Sequence, residues 1–98
     1  GCLGGLSFIC IFISKFAEAE QYARKGLEMD NTQTFIYANL AASLLFQGKY
    51  AEAEQIYRQY KEDLKEGFLD DFAAYEKANI IPTKYMEDVE KIKQMLYE

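Results

Sequence analysis

The chain has 98 residues, half of them apolar and 15% aromatic, enough for one domain near the lower size limit of a self-sufficient core. Its 11 Lys and Arg against 16 Asp and Glu give a net charge of −5, and the bases are interleaved with acids, so the net basic face that nucleic acid requires is missing. With no histidine, a Cys/His nucleophile pair and a Cys/His zinc site are excluded as well.

Residues 3–13 predict a first helix, built on the run Leu6-Ser7-Phe8-Ile9-Cys10-Ile11-Phe12-Ile13. The run is shorter than the roughly 18 to 20 residues that cross a bilayer, and no basic n-region precedes it, so no membrane partner and no signal segment are expected. Cys2 and Cys10 share this helix about 12 Å apart along its axis. That exceeds the separation of about 7 Å that a disulfide tolerates. Cys10 is therefore expected as a small core residue in a reducing, cytoplasmic compartment.

A second helix is predicted over residues 16–29, ended by the turn and cap formers Asp30-Asn31-Thr32-Gln33. The third, over 34–46, places Tyr37, Leu40, Ala41 and Leu44 on one face at i, i+3, i+4, i+7. Gln47-Gly48-Lys49 then turns the chain, with Gly48 where a left-handed backbone commonly stops a helix. A fourth helix from about Tyr50 aligns Ala53, Tyr57, Tyr60 and Leu64. Gly67 is read as its boundary, and residues 68–78 as a fifth helix bearing Leu69, Phe72 and Ala73. Pro82 cannot sit in a helix interior, and Thr83 is expected to cap a last helix with Tyr85, Val89, Ile92 and Leu96 on one stripe.

The chain also repeats itself. Phe16-Ala17-Glu18-Ala19-Glu20-Gln21 returns as Tyr50-Ala51-Glu52-Ala53-Glu54-Gln55, a period of 34 residues. Leu6 pairs with Leu40, Ser7 with Ala41, Ser14 with Gly48, Lys15 with Lys49 and Arg24 with Arg58, so apolar, small, turn and basic positions stay in step. Residues 37–57 resemble the tetratricopeptide signature through Tyr37, Leu40-Ala41, Leu44, Ala53 and Tyr57, and the first unit resembles it through Leu3, Leu6, Ser7, Cys10, Phe16, Ala19 and Ala23. Small residues at Ala41 and Ala53 have a packing reason, since close helices leave no room for more.

The resemblance implies an all-α fold: a right-handed α-solenoid of antiparallel helix hairpins, with repeats at 3–33 and 34–67 and a capping helix pair at 68–98. It also implies the C-terminal part of a longer, bacterial protein, a non-catalytic scaffold without cofactors, and a protein or peptide as partner. A groove ligand is expected on Thr34, Tyr37, Ala38, Asn39 and Ala42. The family's carboxylate clamp of Lys, Asn and Arg is matched only at Asn39. Gly4, Phe8, Leu69 and Ala73 stand at the other clamp positions, so a peptide ending in acidic groups is not expected to bind. Asn39 is then read as a surface or inter-helix hydrogen bonder.

Catalysis is not expected, because Glu18/Glu20, Glu52/Glu54 and Asp70/Asp71 have exposed spacings and solvated carboxylates keep ordinary pKa values. Asp70, Asp71 and Glu76 lack the loop glycine and ligand spacing of a calcium site. The alternative function is homo-oligomerisation or assembly through the first helix. Phe8, Ile9 and Ile13 stand where the third helix has Ala42, Ser43 and Gln47, and with Phe12 they form a candidate partner or self-association surface.

Overall fold

The computed structural model describes the backbone of residues 2–98 and the side chains from Leu3 onward. Among the described residues the protein is all-helical: α1 Cys2–Phe12, α2 Phe16–Met29, α3 Phe35–Leu45, α4 Tyr50–Gln59, α5 Lys61–Lys77, a 3-10 turn Thr83–Tyr85 and α6 Met86–Tyr97. No helix among them is long and apolar enough to cross a membrane.

α3 is the centre. Ile36 and every residue from Ala38 to Leu45 are buried, and α1, α2, α4 and α5 pack around this helix. α2 buries Ala19, Ala23 and Gly26, spaced as one narrow face. A Cβ on Gly26 would stand 3.2 Å from Ile36 and 3.4 Å from Leu3. Ala41 and Ala53 are fully buried, and the buried Ser7 hydroxyl donates to the Ala19 carbonyl at 2.8 Å, tying α1 to α2. Cys10 is buried and free.

One backbone device closes all three hairpins. Ser14 (φ 62°), Gly48 (φ 84°) and Asn79 (φ 59°) occupy the left-handed region just past α1, α3 and α5. Ser14 and Lys15 donate to Ile11 and Cys10, Gly48 and Lys49 to Leu45 and Leu44, and Asn79 and Ile80 to Glu76 and Tyr75. Each pair is the double bond of a Schellman cap, which satisfies carbonyls that a helix end would leave orphaned. The first two turns are 34 residues apart and the third follows after 31.

The shorter last interval goes with a different path from α4 to α5. The helix predicted after Gly67 starts instead at Lys61 and runs through Gly67, while α4 stops at Gln59. Tyr60 has φ −105° and ψ 13°, outside helical geometry, and its ring stacks on Tyr37 with centroids 4.3 Å apart. Beyond it the chain folds back: the Tyr57 and Phe68 rings lie 4.7 Å apart, where a straight helix would separate the residues by about 16 Å. In the first unit the equivalent of Tyr60 is Gly26, with no ring to seat, and α2 continues to Met29.

The start of the last helix also differs from expectation. Thr83 makes no side-chain capping bond; it begins the 3-10 turn, and α6 starts at Met86. Val89, Ile92, Met95 and Leu96 are its buried residues, packed toward α4 and α5.

Candidate binding groove

The first helices of the three hairpins, α1, α3 and α5, frame a cavity of about 370 Å³. α1 supplies Gly4, Gly5 and Phe8, α3 supplies Phe35, Ala38 and Asn39, and α5 supplies Leu64, Gly67, Phe68 and Asp71. A Cβ on Gly5 or Gly67 would meet nothing within 4 Å, so bare backbone borders open space at both rims. At Gly4 the helices touch: a Cβ there would sit 2.7 Å from the Phe35 ring, and the Asn39 amide donates to the Gly4 carbonyl at 3.1 Å. A buried amide needs such a partner, and this one sets the spacing of α1 and α3.

Toward the C-terminal ends of these helices aromatic rings fill the space. The Phe12 ring lies 5.2 Å from Tyr75 and 4.9 Å from Phe8, and Phe46 meets Tyr75 edge-on at 5.5 Å. Of the five residues expected to line a groove, Ala38 and Asn39 do so. Ala42, one turn further on, is buried; Tyr37 stacks on Tyr60, and Thr34 is exposed at the start of α3.

The four apolar residues of α1 divide as well. Phe8 and Phe12 are half-buried against Tyr75, whereas Ile9 and Ile13 are 58% and 56% exposed and share the outer face with Leu6. The equivalent positions of α3 are covered by the first hairpin. Leu40 and Ser43 are buried, and the Gln47 amide donates to the Phe16 carbonyl and to Glu20.

Two carboxylates expected to be ordinary are not. Burial pushes the Asp71 carboxyl up to about 6, helped by the neighbouring Asp70 charge. Among the described residues, no hydrogen bond or ion pair reaches Asp71. Burial first, and then the Asp71 field, raises the Tyr75 hydroxyl, which is buried and has no hydrogen-bond partner among the described residues. Glu20 is the opposite case. Burial raises it, but Arg24, Gln47 and Lys49 all donate to it and together hold it down at about 2.

The α5 half of the cavity lies outside the expected groove residues: Leu64 and Gly67 precede the helix expected over 68–78, and Phe68 and Asp71 lie within it without being expected to face the groove. A signal was present: Leu64, Phe68, Phe72 and Tyr75 form one helical stripe that runs unbroken through Gly67. Compared with protein-family models, with curated proteins and with solved structures, the chain gives no significant match.

Proposed function

We propose that this chain is a non-catalytic protein-interaction module, a tetratricopeptide-like right-handed solenoid whose concave groove receives a segment of a partner protein. The observation that carries the reading is the cavity held open between α1, α3 and α5. Its volume lies at the lower end of the range for ligand pockets, and its walls are mainly apolar. The 34-residue period and the recurring helix closures at Ser14, Gly48 and Asn79 support the repeat architecture. The free, buried Cys10 fits a reducing, cytoplasmic setting.

The test uses the open rim. Replacing Gly67 with Leu projects a side chain into the cavity, and because the site is helical with space around it, the change favours the helix by about 0.8 kcal/mol. Peptides selected from a random display library against the wild-type chain should lose binding to Gly67→Leu while its melting temperature holds or rises. Selected peptides that bind the variant equally well would remove the groove from the proposal.

A second reading is assembly through the outer face of α1. It rests on the contrast between Leu6, Ile9 and Ile13, all exposed, and Leu40, Ser43 and Gln47, which the neighbouring hairpin covers. A like hairpin from a second copy of the chain is the matching occupant. Light scattering should then report a species above monomer mass that shifts to monomer in the double variant Ile9→Ser, Ile13→Ser. A wild-type monomer at high concentration would end this reading.

A further inference from the structure

We propose that the groove selects a cationic side chain on an apolar stem, a lysine or arginine of the partner segment, whose head pairs with the Asp71 carboxylate. This rests on the groove reading above and names the chemistry of the occupant. Among the described residues, Asp71 is the single charged one lining the cavity, beside Phe8, Phe35, Leu64 and Phe68. α1 and α3 contain no charged residue at all, so two of the three framing helices have nothing to neutralise it.

α5 has three lysines: Lys77 lies in its last turn, and the other two are used elsewhere. Lys61 donates to the Glu98 carbonyl at 2.7 Å, and the Lys65 ammonium sits 5.0 Å from the Tyr97 ring, both toward the end of α6. Besides burial, the charge that acts on Asp71 is Asp70, a like charge, and Asp71 in turn adds to the burial that raises the Tyr57 and Tyr75 hydroxyls. An anion would therefore meet repulsion in a low-dielectric site, and a purely apolar group would strip water from an unpaired carboxylate. A lysine or arginine avoids both costs, laying its methylene stem on the apolar walls and its head on the charge. The net charge of −5 further attracts basic segments.

The probes are three capped peptides of sequence Leu-Phe-X-Phe-Leu with X as Lys, norleucine or Glu, titrated at pH 7.5 while backbone amide shifts of Gly5, Gly67 and Asp71 are followed. The lysine peptide should bind about tenfold or more tighter than the glutamate peptide. That preference should disappear in the isosteric Asp71→Asn and shrink in the wild type as the pH falls below about 6. Equal affinity of the three peptides with shifts at the groove would overturn the cation selectivity and leave the groove reading standing. So would a lysine preference that survives Asp71→Asn. Shifts absent from Gly5 and Gly67 for all three peptides would overturn both.

Discussion

Exchanging the residues at two equivalent turns tests whether the repeat is a backbone device. Ser14 at φ 62° and Gly48 at φ 84° close α1 and α3 with the same pair of hydrogen bonds. A non-glycine residue in the left-handed region costs about 1 to 2 kcal/mol. A glycine there gives back about 0.5 to 1 kcal/mol of that through the entropy of the unfolded chain. Ser14 is exposed, so Ser14→Gly loses no packing, and the net gain should be about 0.5 to 1 kcal/mol. For a domain of this size that raises the melting temperature by about 2 to 8 °C.

Gly48→Ser carries a second cost. Its Cβ would stand 2.6 Å from the Tyr85 hydroxyl, forcing that ring off the turn, and the total loss should reach about 1 to 3 kcal/mol. The two sites lie in separate turns, so the double exchange should be close to the sum. Thermal and urea unfolding followed by circular dichroism at 222 nm measures all three variants. A Ser14→Gly variant no more stable than wild type, or a Gly48→Ser variant indistinguishable from it, would refute the strain argument.

Two carboxylates should give opposite pH signatures. The folded pKa of Glu20 lies below its ordinary value, so its stabilisation is present above about 4.5 and is lost as the pH falls toward 2. Glu20→Gln should thus cost about 1 to 2 kcal/mol at pH 7, since Arg24 and Lys49 are partly solvated, with the deficit fading through that window. The folded pKa of Asp71 is raised to about 6, so its contribution is most favourable below about 4 and is lost as the pH rises through 6. Asp71→Asn should be the more stable protein at pH 7 and lose that advantage by pH 4. Urea titrations at several pH values would expose either slope running the wrong way. Tyr75→Phe removes a buried hydroxyl without a partner and should leave stability unchanged or raise it by about 1 kcal/mol. A loss above 1 kcal/mol would mean that the hydroxyl is satisfied.

The sequence by itself determined the all-helical class, the first three helices to within a few residues, the start of the fourth and the left-handed turn at Gly48. Those features are local or periodic: apolar spacing, Asp30-Asn31-Thr32-Gln33 as a break, glycine in a turn. It also determined the small packing residues, because Ala19 and Ala53 recur at one period and both are fully buried.

What the sequence left open depended on contacts between distant residues. Tyr60 stacks on Tyr37 where α4 ends and the chain turns, so that α5 starts at 61 rather than 68 and adds Leu64 and Gly67 to the groove beside Phe68 and Asp71. Spacing cannot tell an exposed Asp71 from one enclosed by α1 and α3, since its environment belongs to helices more than 25 residues away in the chain. Phe8 and Phe12 repeat the lesson. Their pattern marks them as surplus to the first hairpin, and only the position of Tyr75 on α5 decides that they turn inward while Ile9 and Ile13 remain on the outer face.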